Sequence, residues 1–309
     1  MKRYLTLISL IIAGATFTLF SGTGCKGRDA SKNEIVVGGK DFTEQFLLAE
    51  MAGALLEQAG FDVDLRTGVG SAIARKALEN DQVDLYYEYT GTAYTVFYEQ
   101  SDPEIMRDPT EVYQWVKGKD AAKKLTWLQR VDFNNTYTLI MRRKQAAELG
   151  IASISDLARY VNEQPDGLHF AVGVEFYERP DGFKKLVDTY GFQPSSGSIS
   201  KMSIGLTYRA LREEQVDVAM GFATDGRITA FGFISLEDDK QFFPVYNPAP
   251  VIRTEVLEKH PTIRDVLAPL AESLTTDTMR SLNAKVDIEH VDARKVAIEW
   301  LTQEGLLEE

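Results

Sequence analysis

The sequence predicts an α/β protein of two lobes, each built on a mainly parallel sheet with flanking helices, which face each other across a cleft. Two observations lead to this prediction. Strand and helix patterns alternate along the chain from Glu34 onward, and a helix–turn–strand segment at 77–89 returns in similar form at 210–222. Alternation of this kind is typical of parallel sheets covered by helices. The repeat indicates that one lobe is a duplicate of the other.

The alternation is clearest in the first part of the chain. Apolar residues predict buried or half-buried strands, and longer amphipathic stretches between them predict helices. Asp41 followed by Glu44 forms a capping box, which predicts the start of a helix that stops at Gly60. The predicted elements are strands at 35–37, 61–65 and 83–87 and helices at 41–60 and 71–80. Their order is βαβαβ.

The internal repeat aligns the two segments position by position, without a gap. Tyr89 is matched by Phe222, and five residues of the first segment meet identical ones in the second: Ala77, Leu78, Gln82, Val83 and Asp84. Upstream, Phe42 after a Val-Gly pair is echoed by Phe176 after another Val-Gly pair. Short helix–turn–strand units can resemble each other by chance, but two echoes in the same order favour a duplicated lobe.

The sequence also predicts where the chain passes between the lobes. We expect crossings at 138–143 and at 242–252, of which the second is rich in proline and irregular. Lobe I would then comprise 34–137 plus 248–309, and lobe II would comprise 138–247. Ligands of open α/β sheets bind outside the carboxyl ends of the strands. Tyr89 and Phe222 are therefore expected to face each other in the cleft.

Composition excludes several classes of function. The net charge is −12, and loss of residues 1–24, with two basic and no acidic residues, takes it to −14. So acidic a chain is not expected to hold nucleic acid through its phosphates. His169, His260 and His290 lack metal-ligand spacing, and neither a Gly-x-Ser-x-Gly elbow nor a phosphate-loop lysine occurs. We therefore expect no enzyme activity, no metal and no cofactor.

The first residues resemble an export signal. A basic pair, Lys2 and Arg3, precedes an apolar run at 4–20 and the small residues at 21–24. The only cysteine, Cys25, follows directly, as in the lipobox of bacterial lipoproteins, although Gly22 stands where Leu, Val or Ile is usual. We expect a signal peptide at 1–24, a lipid on Cys25 and a linker at 25–33. A simple secretory peptide is the alternative, and both place the protein outside the cytoplasm.

Aromatic residues gather where β-strand patterns end, above all at 86–94, where Tyr86, Tyr87, Tyr89 and Tyr94 surround Thr92. This segment and several others resemble the binding proteins of osmoprotectant importers, whose ligands are glycine betaine, choline, carnitine and proline betaine. The resemblance is carried by 39–45 (Gly-Lys-Asp-Phe-Thr-Glu-Gln), 87–92 (Tyr-Glu-Tyr-Thr-Gly-Thr), 133–137 (Phe-Asn-Asn-Thr-Tyr), 175–182, 223–228 (Ala-Thr-Asp-Gly-Arg-Ile) and 241–246. These motifs span most of the chain in the right order.

The resemblance implies a two-lobed fold of the periplasmic-binding-protein type (class II) and an aromatic cage for a trimethylammonium group. The cage walls carried over by motif are Tyr89, Tyr137, Phe222 and Tyr246, with Phe222 where the family usually has tyrosine. A quaternary ammonium has no hydrogen to donate, and ring faces attract it by about 0.5–2 kcal/mol each.

The other end of the ligand is expected to meet Lys40, Thr92 and Arg179, of which Arg179 can bind a carboxylate bidentately. A surface or interlobe salt bridge is the alternative for Lys40 and Arg179, and Glu175 is expected to have a structural role, such as orienting Arg179.

The resemblance further implies a monomer that closes by a hinge and delivers its ligand to ABC permease and ATPase subunits on separate chains. The same fold could instead bind another small solute, such as an amino acid, or act as a sensory module.

Overall fold

The protein contains two five-stranded sheets of the same design. The computed structural model describes residues 33–308, which belong to one compact unit beginning at Asn33. The predicted signal peptide, Cys25 and the linker up to residue 32 lie outside the described residues, and these assignments stay predictions.

The helices and strands follow one another as the alternating pattern predicts. The first part holds β1 (Glu34–Lys40), α1 (Thr43–Gln58), β2 (Asp62–Val69), α2 (Ser71–Glu79), β3 (Leu85–Tyr89), α3 (Thr90–Thr92), α4 (Pro103–Arg107), α5 (Pro109–Ala121) and β4 (Leu125–Trp127). The middle part holds β5 (Tyr137–Arg142), α6 (Arg143–Leu149), α7 (Ile154–Glu163), β6 (Phe170–Gly173), α8 (Val174–Glu178), α9 (Phe183–Tyr190), β7 (Ile199–Met202), α10 (Ile204–Arg212), β8 (Val218–Phe222), α11 (Arg227–Ala230) and β9 (Phe233–Ser235). The last part holds β10 (Pro248–Arg253), α12 (Thr254–Lys259), α13 (Ile263–Ser273), α14 (Thr276–Asp287) and α15 (Ala293–Gln303).

Each sheet has one antiparallel strand among parallel ones. The first sheet has the order β2-β1-β3-β10-β4, with β10 antiparallel to both of its neighbours. The second has the order β7-β6-β8-β5-β9, with β5 antiparallel to both of its neighbours. Below, lobe I is the first sheet with its helices, including α13, α14 and α15, which pack on α1. Lobe II is the second sheet with its helices.

The two lobes agree with the internal repeat. Helices α2 and α10 both have nine residues, and their first residues, Ser71 and Ile204, are equivalent positions of the repeat. Strands β3 and β8 both have five residues, and their last residues, Tyr89 and Phe222, are equivalent in the same alignment. Both strands are also the central strands of their sheets. The interpretation of the repeat as a duplicated α/β lobe therefore agrees with the fold.

The predicted crossings are wrong in part, because only residues 242–247 lie in a segment that connects the two sheets. Residues 138–143 lie mainly in β5, and 248–252 lie in β10, so each is a sheet strand that follows a crossing. The chain crosses at 128–136 and at 236–247. The prolines of β10 had suggested an irregular linker, because proline is rare in central strands. Here the Pro248 and Pro250 carbonyl oxygens accept hydrogen bonds from Val131 and Leu128.

The two crossings lie side by side and are hydrogen-bonded to each other. The Asn135 N–H donates to the Tyr246 carbonyl at 3.0 Å, and the Tyr246 N–H donates to Asn134 Oδ1 at 2.7 Å. The Asn247 side-chain amide donates to the Phe133 carbonyl at 2.8 Å. The covalent link between the lobes thus consists of two irregular segments that are hydrogen-bonded to each other.

Lobe I contains a buried cluster of polar groups around Asp120, which is fully buried. Its carboxylate accepts two hydrogen bonds from Arg75, at 2.8 and 2.5 Å, one from the Trp127 indole at 2.6 Å and one from the Tyr98 hydroxyl at 2.5 Å. A buried carboxylate needs such partners, because desolvation of an unpaired charge is costly. The cluster ties α2, α5 and β4 together.

We predict that Asp120→Ala lowers the free energy of unfolding by about 3–5 kcal/mol, because it leaves the Arg75 guanidinium buried without its main counter-charge. Urea denaturation measures this loss. The control is Asp64→Ala, which removes an ion pair with Arg66 on the surface and should cost less than about 1 kcal/mol. Similar losses for the two variants would contradict the structural role of Asp120.

Candidate functional site: an aromatic cavity between the lobes

A cavity of about 220 Å³ lies between the lobes. Its apolar lining consists of Phe42, Tyr89, Tyr137, Gly173, Val174, Phe176, Met202, Ile204, Met220, Phe222 and Tyr246. Its polar lining consists of Lys40, Asp41, Ser71, Thr92, Asn135, Glu175, Arg179 and Ser203. All seven ligand-site residues that the sequence analysis nominates line this one cavity. Their roles toward a ligand stay predictions.

Strand ends bring the four nominated rings to one place. Tyr89 is the last residue of β3 and Phe222 the last of β8. Tyr137, the first residue of antiparallel β5, lies opposite Phe222 in the register. Tyr246 precedes β10 by two residues, and Pro248 lies opposite Tyr89. The carboxyl ends of parallel strands and the amino end of their antiparallel neighbour share one sheet edge, where ligands of such folds bind.

The rings form a connected wall. The Tyr137 ring centroid lies 5.0 Å from that of Phe222 and 5.4 Å from that of Tyr246, nearly perpendicular to it. Tyr89 joins the wall through Phe42, whose ring centroid lies 6.1 Å from that of Tyr89 and 5.2 Å from that of Phe222.

Two lining rings, Phe42 and Phe176, were not nominated from the sequence. Phe176 stacks on Tyr137 with a centroid distance of 4.6 Å, and Phe42 bridges the two lobes between Tyr89 and Phe222. A signal for both was present, because Phe42 follows β1 and Phe176 follows β6, and these two strands correspond in the repeat. The repeat alone could therefore have added them to the site.

A glycine makes room for one of the walls. A Cβ on Gly91 would lie 2.9 Å from ring carbons of Tyr246 and 2.7 Å from the Val245 carbonyl oxygen. Contacts this short exclude any larger residue unless the Tyr246 ring moves. The glycine that follows β3 thus allows the second crossing to press its tyrosine into the cavity.

Lys40 is buried and already has a counter-charge. Its ammonium Nζ lies 2.5 Å from Glu88 Oε1 and 5.1 Å from the centre of the Tyr89 ring. Glu88 also accepts hydrogen bonds from the Tyr86 hydroxyl and the Tyr89 N–H, both at 2.6 Å. The pair lies within lobe I. It therefore matches neither the surface nor the interlobe salt bridge weighed as alternatives.

Arg179 is held in a similar way in lobe II. Its guanidinium donates to both carboxylate oxygens of Asp181, at 2.8 and 2.7 Å, and from Nη1 to the Tyr137 hydroxyl at 3.0 Å. These bonds use three of its five N–H groups. Asp181 in turn accepts a hydrogen bond from the Thr95 hydroxyl of lobe I at 2.5 Å. The arginine is therefore oriented by Asp181 more than by Glu175.

Glu175 bridges the lobes. Its Oε2 accepts a hydrogen bond from the Ser71 N–H at the start of α2, at 3.3 Å, while its Oε1 lies 3.8 Å from Arg179 Nη1. Burial acts to raise the pKa of this carboxyl, but the charge of Lys40, the Ser71 bond and Arg179 outweigh burial and lower it. An ionised Glu175 thus joins α8 of one lobe to the helix start of the other.

Glu44 does not form the predicted capping box. Helix α1 has Phe42 at its N-cap without a side-chain cap bond, and the Glu44 carboxyl points to partners at the lobe boundary instead. It accepts hydrogen bonds from the Tyr89 hydroxyl and the Asn135 amide, both at 2.8 Å. Asn135 Oδ1 accepts a further bond from the Thr224 hydroxyl at 2.9 Å. Burial raises the pKa of Glu44 to about 7, although these bonds act to lower it.

The described part of the chain shows neither a cluster of metal ligands nor a membrane-spanning helix. Within residues 33–308, no group of three or more His, Cys, Asp or Glu side chains is arranged to hold a metal ion. No helix in the same range has the length and apolar character needed to cross a membrane.

Comparisons with known proteins show similarity to binding proteins for glycine betaine and related amines. Over 285 residues, 91% of each chain, the protein is 42% identical to a glycine-betaine-binding protein of Pseudomonas aeruginosa. It is 32% identical over 278 residues to the glycine betaine-binding protein YehZ of Escherichia coli, which covers 88% of this chain and 90% of YehZ. A solved glycine betaine/carnitine/choline ABC transporter structure matches 89% of this chain and 100% of its own, with a TM-score of 0.71 and 28% identity.

The two sheets and the neighbouring solved structures confirm the predicted two-lobed fold. Two such lobes with a ligand-sized cavity at their strand ends are the architecture of substrate-binding proteins of ABC importers. Residues 33–303 match the family described as the substrate binding domain of ABC-type glycine betaine transport systems, and the chain belongs to that family. Members of this family bind and deliver substrates and are not enzymes.

We predict that Glu44 makes the stability of the protein depend on pH. Its raised pKa means that the folded chain keeps the proton more tightly than the unfolded chain. The stabilising contribution is therefore complete below the ordinary value near 4.5 and is lost as the pH rises through about 7. Relative to Glu44→Gln, the wild-type free energy of unfolding should fall by about 3 kcal/mol between pH 4.5 and 8.

Urea denaturation of both proteins across this pH range measures the difference. Other titrating groups contribute equally to the two curves and cancel. Parallel curves would show that Glu44 is not held protonated in the folded chain.

Proposed function

We propose that the cavity captures glycine betaine or a related quaternary amine (choline, carnitine or proline betaine) outside the cytoplasm, for delivery to an ABC permease and its ATPase on separate chains. The observation that carries the proposal is the wall of six aromatic rings around a small cavity that Lys40 and Arg179 also line. Two relatives are named as glycine betaine-binding proteins, and this supports the same ligand class.

The cage suits a methylated cation in particular. Tyr89, Tyr137 and Tyr246 are buried and Phe222 is half-buried, so water does not compete for their faces. A trimethylammonium group offers no N–H donor, and the attraction of ring faces to a cation grows when both are desolvated, to about 2 kcal/mol per ring. Phe222 retains a ring face for this purpose and lacks only the hydroxyl.

The two cations of the lining suit a carboxylate. Arg179 has two N–H groups left, one on each Nη, and the Lys40 ammonium has two beyond its bond to Glu88. Thr92 is buried beside them and offers a hydroxyl. Lys40 and Arg179 are therefore hydrogen-bond donors held in place by their own acidic partners, an arrangement that suits the carboxylate of a betaine.

The proposed capture step is closure of the lobes about the paired crossings. The bonds of Ser71 to Glu175 and of Thr95 to Asp181 join the two lobes, and each would break on opening. Closure of this hinge type is a common response of two-lobed proteins to ligand. The proposal also includes a lipid on Cys25, which would hold a monomeric binding protein near its permease.

Calorimetry with glycine betaine, choline, carnitine and proline betaine tests the ligand class. We expect at least one of them to bind with micromolar or tighter affinity. The matched control is 3,3-dimethylbutyrate, which has the shape and carboxylate of glycine betaine but carbon in place of the charged nitrogen. It should bind at least about tenfold more weakly, because it has no cation for the rings. Absence of binding by all four amines at millimolar concentration would refute the proposal.

A second test separates the ring of Tyr89 from its hydroxyl. Tyr89→Leu removes the aromatic face and should weaken binding of the preferred amine by about tenfold or more. Tyr89→Phe removes only the hydrogen bond to Glu44 and should lose much less. Calorimetry measures both, with thermal unfolding to show that each variant is folded. Equal losses in the two variants would remove the Tyr89 face from the cage.

A further inference from the structure

Helices α2 and α10 present the same exposed pattern at corresponding positions of the two lobes. Their first residues, Ser71 and Ile204, both line the cavity. Two residues later, Ile73 is 61% exposed and Leu206 is 50% exposed. These two are equivalent positions of the internal repeat. The other large apolar side chain exposed to this degree in residues 33–308 is Val174, which borders the cavity itself.

A cation follows each aliphatic residue by one helical turn. Lys76 and Arg209 are both exposed, and they too are equivalent positions of the repeat. Residues three apart lie on the same face of a helix. Each lobe therefore shows an aliphatic side chain next to a cation, close to the cavity, on a protein whose net charge is −12.

We infer that these two helix starts form a docking surface for the membrane permease, in which two equivalent subunits each receive one lobe. The inference rests on the proposed function. Two matching surfaces, one on each lobe, fit a partner that is built from two equivalent subunits. Each permease subunit would offer an apolar recess for Ile73 or Leu206 and an acidic side chain for the neighbouring cation, because complementary charge fixes the register of an interface.

A second copy of this chain fits the surface less well. Two copies joined about a two-fold axis would place the same patch against itself. Lys76 and Arg209 of one copy would then meet Lys76 and Arg209 of the other, and such like-charge contacts are unfavourable. The repeated cations therefore favour a partner that carries acids.

The arrangement also makes docking sensitive to closure. Helix α2 belongs to lobe I and α10 to lobe II, so the distance between Ile73 and Leu206 depends on the angle between the lobes. The bond from the Ser71 N–H to Glu175 fixes the start of α2 against lobe II. Two recesses at a fixed spacing would accept both side chains together only in the closed form.

The experiment uses the full chain with the permease–ATPase complex of its importer, reconstituted in liposomes. We measure ATPase stimulation against the concentration of binding protein, in the presence of glycine betaine, for wild type, Ile73→Ser, Leu206→Ser and the double variant. The half-maximal concentration should rise about tenfold for each single variant, because each removes one buried aliphatic contact, and further for the double variant. Lys76→Glu with Arg209→Glu should act in the same direction.

Control variants separate docking from ligand capture. The double variant Ile73→Leu with Leu206→Ile keeps an aliphatic side chain at both positions and should behave as wild type. Lys144→Ser, which removes an exposed cation elsewhere in lobe II, should also behave as wild type. Calorimetry should give every variant a Kd for glycine betaine within about twofold of wild type, since none of these side chains lines the cavity.

Unchanged stimulation by the double variant would overturn the inference. Sedimentation gives a second contradicting result. If the wild type self-associates and the double variant Ile73→Ser with Leu206→Ser does not, the surface belongs to a second copy and the inference is wrong. A wild-type chain that stimulates the ATPase but binds no quaternary amine would refute the proposed ligand class alone, and the docking comparison would still be readable.

Discussion

The hydrogen bonds between the two crossing segments are the constraint on which the rest of the structure depends. They hold the crossings side by side at the edge where the strands of both sheets end. Tyr137 begins the strand after one crossing, and Tyr246 lies at the end of the other, so the pairing also brings their rings together. Asn135, on the first crossing, links Glu44 of lobe I to Thr224 of lobe II. The cavity and the link between the lobes are therefore built from the same backbone.

The two cations of the cavity have counter-charges before any ligand arrives. Buried ions need partners because desolvation is costly, and Lys40 and Arg179 have theirs in Glu88 and Asp181. Such pairing keeps the donors in fixed positions and weakens their long-range pull on any anion. In the proposed complex, recognition depends on two kinds of contact: aromatic rings around the ammonium group and directed N–H bonds to the carboxylate. Glu175 spans the lobes and takes part in neither pairing.

Much of this arrangement could be predicted from residues alone. Alternating patterns and the internal repeat predicted the two sheets, and the strand ends at Tyr89 and Phe222 indicated the cleft. The crossings were placed too late, because the prolines of β10 hid a strand whose carbonyl oxygens bond to the first crossing. Glu44 was misplaced for a different reason. Local spacing suggests a cap, whereas partners distant in sequence decide where a buried carboxyl points.

The position of β10 in the first sheet has a consequence for synthesis. Lobe II is one uninterrupted stretch, and its sheet is complete once Ser235 has left the ribosome. In lobe I, β4 pairs only with β10, so its sheet stays open until Arg253 has followed. A nascent chain therefore carries one finished half and one half with bare strand edges, which are prone to wrong pairing. The earlier half in sequence is the later one to fold.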